Sequence, residues 1–233
     1  MEDLNIIIPV YQEQKNIKKT LTKILKIKKI KYKITVIYDY NKDPTIQVIK
    51  KNFKTNKIRL IKNKHKFLNG AVKTAYETIN ARAYLFYAAD DHNNFKLIPV
   101  MFKKFKEGYD MVCASRYILG GNLKNYPIFK IVLKKIIHLT LKIFIQSLIT
   151  DPTNGFKLFS KDIIKKFPIT SKKGFTFNFE IFVKAYLSGY KFTEVPENWE
   201  ERNFGKSKFR YYELIYYIPW YLKLIFNTSN KNF

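Results

Sequence analysis

The sequence contains little cysteine and few acidic residues, and each shortage excludes a class of structure or site. A single cysteine, Cys113, among 233 residues rules out an intramolecular disulfide and a metal site built from cysteine alone. Only 18 acidic residues stand against 44 lysines and arginines, which gives a net charge of +26. Such a charge favours polyanionic partners: nucleic acid, anionic lipid headgroups or phosphorylated substrates. A compositional bias towards lysine explains the charge equally well, because the lysines are spread along the chain.

Arginine and long apolar runs are also scarce. Because only five basic residues are arginines, a site that needs a rigid bidentate fork is marked by them. The two most apolar segments, 131–149 and 214–226, both contain lysine, and the second is too short to cross about 30 Å of hydrocarbon. The first ten residues, MEDLNIIIPV, are acidic and then briefly apolar, unlike a signal peptide. The sequence therefore predicts neither a transmembrane helix nor a signal peptide.

Apolar residues are abundant enough for one full-sized core, at 46% of the chain. Short β-branched runs alternate with stretches of helical spacing through the first half of the chain. This alternation predicts an α/β fold in which a mostly parallel sheet is covered by helices on both faces. The predicted strands are residues 4–9, 33–38, 57–61, 83–88 and 109–114.

Polar residues follow these runs at the places where such a sheet binds ligands, beyond the carboxyl ends of its strands. They occur in PVYQE, DYNKDPT, ADDHNN and SRYILGG. Asp90, Asp91 and His92 suit a divalent cation such as Mg²⁺ or Mn²⁺. Alternatively, the Asp and Asn residues of this stretch cap the helix that starts near Phe95. Asp39 suits a base or ribose contact, or else a turn.

The motifs IIIPVYQE, VIYDYNKDPT, FYAADDHNN, ASRYILGG, DPTNGFKLFS, FNFEIF and ERNFGKSKF occur in that order. Together they resemble family 2 glycosyltransferases, most closely the dolichol-phosphate mannosyltransferase and polyprenyl-phosphate glycosyltransferase branch. The resemblance covers Ile6 to about Phe209 and implies a GT-A fold, a Rossmann-like sheet that binds a nucleotide sugar and a divalent metal. It assigns residues 1–208 to the glycosyltransferase domain and leaves 209–233 as an amphipathic helix, which we expect at a membrane surface.

On the donor side, the resemblance implies a nucleotide-sugar site and a metal site. Gln12 replaces the asparagine of the family's P-x-Y-N-E motif, Tyr40 replaces the second acid of its D-D pair, and Ala88 replaces the first acid of its D-x-D. The missing acid leaves three alternatives: a one-acid metal site at Asp90, a shifted pair of Asp90 and Asp91, or a weakened dependence on metal. We favour the first, with Asp91 in reserve and His92 beside the metal. The implied nucleotide-sugar residues are Pro9, Tyr11, Glu13, Asp39, Gly70, Asp90 and Arg116.

On the acceptor side, the resemblance implies a loop and a basic segment. Asp90, Arg116 and Arg202 are the implied catalytic residues, because they would stabilise the departing nucleoside diphosphate. Glu180 is either a side chain that points at the site or a paired buried acid. The implied acceptor-side residues are Asp151, Asn154, Gly155, Glu180, Lys206 and Lys208.

The expected function is inverting transfer of a sugar from a GDP- or UDP-sugar to a polyprenyl phosphate, with Mg²⁺ or Mn²⁺ as cofactor. Transfer to a glycan or other soluble acceptor, and a degenerate nucleotide- or polyanion-binding module, are the alternatives. The expected partners are the donor, the lipid acceptor, a membrane surface and, as a further option, a membrane-anchored subunit, but not nucleic acid. The expected location is the cytoplasmic face of a membrane, in peripheral association.

Overall fold

A computed structural model of the chain describes residues 1–124, 139, 149–171, 174–200 and 211–229. Seven strands form one sheet in the order β3-β2-β1-β4-β7-β5-β8, and two short strands, β6 and β9, pair in parallel beside it. Within the large sheet only β7 runs antiparallel to its neighbours. The strands are β1 Glu2–Val10, β2 Lys33–Tyr38, β3 Ile58–Lys62, β4 Ala81–Phe86, β5 Met111–Ser115, β6 Asn122–Lys124, β7 Lys157–Ser160, β8 Phe192–Pro196 and β9 Asn198–Glu200.

Helices connect the strands and cover both faces of the sheet. Two 3₁₀ helices, Asn94–Lys96 and Tyr211–Tyr217, precede the fourth and the last α-helix. The α-helices are α1 Ile17–Leu25, α2 Pro44–Asn52, α3 Phe67–Thr78, α4 Leu97–Lys106, α5 Lys161–Lys166, α6 Thr176–Leu187 and α7 Ile218–Ser229.

Strand β1 shows why the sheet is covered on both faces. Leu4, Ile6 and Ile8 point to one face and pack with α1, α2 and α4. Ile7, between them, points to the other face and packs with α3, α5 and α6. All four side chains are fully buried, and each such burial contributes about 1.5–3 kcal/mol. The run is continuously apolar because a central parallel strand has no solvent-facing side.

The sequence prediction of an α/β, mostly parallel sheet is confirmed, with five strands within a few residues of the predicted runs. Strand β7 was not predicted, because its four residues KLFS are too short to show a period. It inserts between β4 and β5 and so brings the loop that precedes it into the middle of the sheet.

The C-terminal helix α7 packs on α6. Leu224 is fully buried in the core on that face, and Trp220 and Tyr221 pack beside it. None of the helices within the described residues is long and apolar enough to cross a membrane. The division of the chain at residues 208 and 209 remains a prediction, and most of the apolar segment 131–149 lies outside the described residues.

Candidate functional site

The polar residues predicted at the strand ends meet at one edge of the sheet. Strands β1, β2, β4 and β5 all run in the same direction, so their carboxyl ends lie side by side. The segments that follow them are those expected from the sequence. The topology therefore places Tyr11, Asp39, Asp90 and Arg116 along this edge, where α/β sheets bind ligands.

The loop after β1 is tied to the start of α2. Asp43 caps that helix by accepting from Thr45 N at 2.9 Å, and its second oxygen accepts from Gln12 N at 3.0 Å. Thr45 Oγ1 accepts in turn from Glu13 N at 2.8 Å. Gln12 has a left-handed backbone with φ of 57°, a conformation that non-glycine residues rarely adopt. Sequence reasoning missed Asp43 and Thr45, although Asp-Pro before a helical stretch is a recognisable cap signal.

The two departures from the family pattern in this region contact each other. Gln12 Nε2 lies 3.2 Å from Tyr40 Oη, and the Tyr40 ring meets Tyr11 edge to face at 5.8 Å. Tyr11 is 47% exposed, so the pair presents an aromatic surface at the site. The phenol of Tyr40 thus stands where the family pattern has a carboxylate.

Asp39 organises the loop between β3 and α3. Its two oxygens accept from Asn63 Nδ2 at 2.6 Å and from Phe67 N at 3.2 Å. Lys66 and Phe67 both have left-handed backbones, with φ of 60° and 58°. These bonds make Asp39 a loop anchor, and a base contact by the same carboxylate remains a prediction. Pro9 lies near the end of β1, paired with Ile37 of β2.

In the turn after β4, the carboxylate of Asp91 has a structural role. Asp91 accepts from Asn93 N at 2.9 Å and from Asn94 N at 3.0 Å, so it caps the 3₁₀ helix that follows. This is the capping alternative considered for the sequence, and Asp91 takes this role. His92 Nε2 lies 3.4 Å from Asn16 O, and burial lowers its pKa, which favours the neutral imidazole that can bind metals.

Among the described residues, no group of three or more His, Cys, Asp and Glu side chains is placed to hold a metal ion. Asp91 accepts two backbone hydrogen bonds at this turn, and Asp90 is the acid that the family resemblance aligns with the metal-binding carboxylate. One or two carboxylates are what Mg²⁺ commonly takes from a protein when substrate phosphates and water supply its other ligands. The residues therefore fit a metal that arrives with a diphosphate and do not form a site for a metal on its own.

Arg116 and Asp151, predicted on opposite sides of the site, form one buried ion pair. Arg116 Nε and Nη2 donate to the two Asp151 oxygens at 2.6 and 2.8 Å. Burial disfavours the charged guanidinium, but Asp151 outweighs this and raises the pKa of Arg116. The sequence prediction placed this fork against a phosphate, whereas in the structure Asp151 occupies two of its donors.

The loop at residues 150–155, here called the acceptor-side loop, is hydrogen-bonded to two ionisable side chains of the neighbouring strands. The Lys157 ammonium is fully buried and donates to Pro152 O and Asn154 O at 2.6 and 2.5 Å. Burial lowers its pKa. Glu194 accepts from the backbone N–H of Thr150 and Asp151 at 2.9 and 3.0 Å. Neither Lys157 nor Glu194 was predicted, since each sits within a strand and only its loop contacts reveal it.

Glu197 is a further buried acid that the sequence did not reveal. Its residue is 3% exposed, and its carboxylate accepts from Asn154 Nδ2. Burial raises its pKa to about 7; Arg116 opposes the rise, and Asp91 and Asp151 add to it. Glu197 is therefore a weaker acid than an exposed glutamate.

This pKa predicts a pH-dependent stability. The folded state retains a proton on Glu197 that the unfolded chain releases near pH 4.5. The contribution of this proton to the free energy of unfolding is therefore complete below about pH 4.5 and is lost as pH rises through about 7. The difference between the two pKa values corresponds to about 3 kcal/mol. Glu197→Gln cannot ionise and should lose this part of the slope between about pH 5 and about pH 8. Denaturant unfolding across that range checks it, and an unchanged slope in the variant would contradict it.

The structure gives the surroundings of three other predicted residues, Gly70, Gly155 and Glu180. A Cβ on Gly70 would lie 2.6 Å from the backbone carbon of His65, so the close approach is to the chain's own loop. A Cβ on Gly155 would lie 3.4 Å from Asn178 Nδ2. Glu180 is the paired buried acid of the two alternatives, because it accepts from Thr170 N and Ser171 N at 2.7 Å each and pairs with Lys184. The predicted Arg202, Lys206 and Lys208 lie outside the described residues.

Comparison with known proteins gives a family and a fold. Residues 5–167 match the family model described as glycosyl transferase family 2. The chain is 26% identical to a dolichol-phosphate mannosyltransferase of Pyrococcus furiosus, over 89% of this chain and 59% of that protein. It is 29% identical to a dolichyl-phosphate beta-glucosyltransferase of Dictyostelium discoideum, over 85% of this chain and 66% of that protein. The chain therefore spans less than two thirds of the length of these relatives.

A solved structure supports the GT-A fold. Glucosyl-3-phosphoglycerate synthase from Mycobacterium tuberculosis, crystallised with Mn²⁺, UDP and glucosyl-3-phosphoglycerate, superposes with a TM-score of 0.70 at 11% identity. The match covers 98% of this chain and 80% of that one. At this identity the likeness shows the fold alone.

Proposed function

The chain belongs to glycosyl transferase family 2, and from that premise we propose that it transfers a sugar from a GDP- or UDP-sugar to a polyprenyl phosphate. The observation that carries the proposal is the edge where Tyr11, Asp39 and Asp90 lie beside the acceptor-side loop. Both curated relatives described above are named for transfer to a dolichol-type phosphate, which supports the acceptor class.

In this reaction the protein positions the two reactants and stabilises the negative charge of the leaving group, and no general base is required. A polyprenyl phosphate is already ionised at neutral pH, so its oxygen attacks the anomeric carbon directly. The bond from that carbon to the donor phosphate breaks, its electrons leave with the nucleoside diphosphate, and the configuration inverts. Reactant positioning of this kind supplies much of the rate of such transfers.

In this proposal each residue at the edge of the sheet has its own role. Tyr11 and Asp39 hold the nucleoside, and Asp90, with His92 beside it, would hold the metal. A bound Mg²⁺ or Mn²⁺ would offset the negative charge that develops on the departing diphosphate. Arg116 acts through Asp151, which positions the acceptor-side loop. Arg202, Lys206 and Lys208 remain predicted phosphate contacts from the family resemblance.

An apolar stripe on the C-terminal helices supports a membrane-embedded acceptor. The residues of this stripe are spaced three or four positions apart, so they lie on one side of the helices. That side faces solvent, opposite the side that packs on α6. Lys223 lies beside the line, as the basic edge of an interfacial helix does. The proposed location is accordingly the cytoplasmic surface of a membrane. The stripe consists of Ile215, Ile218, Leu222 and Phe226, which are 62%, 51%, 44% and 65% exposed.

The decisive experiment is a donor and acceptor screen with purified protein. GDP- and UDP-sugars are each incubated with phosphoprenol in vesicles and Mg²⁺ or Mn²⁺, and lipid-linked sugar is extracted and counted. Transfer to phosphoprenol that Asp90→Ala abolishes supports the proposal. Transfer only to a soluble acceptor would reject the hypothesis of a lipid acceptor. A folded protein that binds no donor and transfers no sugar would reject the hypothesis of glycosyltransferase activity.

Replacing Ile218, Leu222 and Phe226 together with serine should weaken binding to anionic vesicles at least about tenfold. Stability should change little, because these side chains are already exposed. The matched control is Leu224→Ala on the buried face of the same helix, which should cost about 2–5 kcal/mol of unfolding free energy. Vesicle co-sedimentation and thermal melting measure the two effects. Unchanged sedimentation of the triple variant would reject the membrane role of the stripe.

A further inference from the structure

Glu197 lies between the two halves of the proposed site. On one side is the turn at residues 88–94, here called the donor-side turn, and on the other is the acceptor-side loop. Glu197 Oε1 lies 3.4 Å from Asn94 Nδ2, and Oε2 accepts from Asn154 Nδ2. The carboxylate therefore contacts both halves at once.

Each amide that contacts Glu197 is held by further hydrogen bonds. Asn94 Nδ2 also donates to Asp91 Oδ2 at 3.1 Å, within the donor-side turn. Asn154 Nδ2 also donates to Ala114 O at 2.8 Å, and Asn154 Oδ1 accepts from Phe156 N at 3.0 Å. Movement of either half would consequently be transmitted through these amides to Glu197.

The backbone of Glu197 is fixed as firmly as its side chain. Glu197 N donates to Ser115 O at 2.8 Å, and Glu197 O accepts from Asn122 N at 3.0 Å. These bonds attach the residue to the end of β5 and to the start of β6. Glu197 thus joins the two halves from a rigid position on the sheet.

A buried carboxylate is a costly way to make this connection. Taking an ionised acid out of water is unfavourable unless it is well paired, and the nearby Arg116 is already paired with Asp151. Residues that reduce stability without an evident structural gain are found mainly at functional sites. The position of Glu197 between the two proposed substrate halves supplies such a function.

We propose that Glu197 is a positioning residue that holds the donor-side turn and the acceptor-side loop at the separation that sugar transfer requires. The inference rests on the proposed function, since the two halves are those of the proposed transferase. Glu197 acts through Asn94 and Asn154 and touches neither substrate.

The chemistry of the contacts explains why the residue is an acid. Both neighbours present an NH₂ group, and only a carboxylate offers an acceptor oxygen to each of them. Glutamine has the same shape but one oxygen and one NH₂ group, so it can accept from only one asparagine. Glu197→Gln therefore removes the hydrogen bond to one of the two asparagines without leaving a cavity.

The test compares turnover, donor binding and stability in Glu197→Gln. We expect kcat to fall about tenfold or more, because a small misplacement of reacting groups is costly. The dissociation constants of GDP and UDP with Mn²⁺ should stay within about twofold, and the melting temperature at about pH 8 should rise as the buried charge is removed. A residue with only a structural role would instead lower the melting temperature and leave kcat unchanged in the remaining folded protein.

The control and a second readout separate this inference from the proposed function. Asp110→Asn changes a partly buried acid at the other end of β5, where Asp110 accepts from Lys191 N, and should leave kcat unchanged. Turnover of the variant and the wild type is compared with whichever acceptor the wild type uses. If the wild type does not transfer sugar to phosphoprenol, only the proposed acceptor class is rejected, and the role of Glu197 can still be tested. Amide hydrogen exchange in the donor-side turn and the acceptor-side loop needs no turnover. Faster exchange in Glu197→Gln supports the connection, whereas unchanged exchange, or a kcat within about twofold of wild type, overturns it.

Discussion

Replacing Asp151 with alanine is expected to lower the free energy of unfolding by about 3–5 kcal/mol, because it leaves the Arg116 guanidinium buried without its partner. The Arg116 and Asp151 side chains are only 9% and 2% exposed, so water cannot replace the lost carboxylate. An arginine cannot escape by losing its proton. Asp151 also anchors the acceptor-side loop, so activity should fall with stability.

Two further variants make this prediction specific to the buried pair. Arg59→Ala breaks the exposed pair with Glu2 and should cost no more than about 1 kcal/mol. Combining Asp151→Leu with Arg116→Met removes both charges and should recover most of the stability lost in Asp151→Ala. Denaturant unfolding of the three variants measures these differences. A loss below about 1 kcal/mol in Asp151→Ala would contradict the uncompensated-charge argument.

Replacing Asp90 with alanine is expected to reduce sugar transfer by about a hundredfold or more, since removing one group that stabilises charge in a transition state commonly has this effect. Binding of UDP or GDP with Mn²⁺ should weaken in parallel. Thermal stability should change little, because Asp90 lies at the end of a turn and is only partly buried.

Asp91→Ala is the matched control, because the adjacent carboxylate caps the 3₁₀ helix. It should cost about 1 kcal/mol of stability, as a lost cap does, with a smaller effect on metal-dependent donor binding. Calorimetric titration of nucleotide with Mn²⁺, together with thermal melting, checks both variants. An equal loss of binding in the two would mean that both acids hold the metal, and no loss in either would remove the metal site from this turn.

Part of the site could be predicted from the sequence, because the residues that directly follow each parallel strand in the chain lie at the same edge of the sheet. The polar residues after each apolar run, Asp39 and Asp90 among them, do lie at that edge. The roles of individual acids were harder to predict. Asp91 is a cap and Glu180 a paired buried acid, and only the distances to Asn94 N and Ser171 N show this.

The sequence by itself determined the alternation of strands and helices, the double-sided burial of the sheet and the family to which the chain is similar. These follow from periodicity and composition, which are carried by residues close together in the chain. Only the tertiary structure decided that Arg116 meets Asp151, 35 residues away, and that Glu197 lies between Asn94 and Asn154. Such contacts depend on the insertion of the short antiparallel strand β7 between β4 and β5 and on the addition of β8 at the edge of the sheet beside β5. Ion pairs and hydrogen bonds act over a few ångströms in space, and no local pattern specifies which distant residues come within that range.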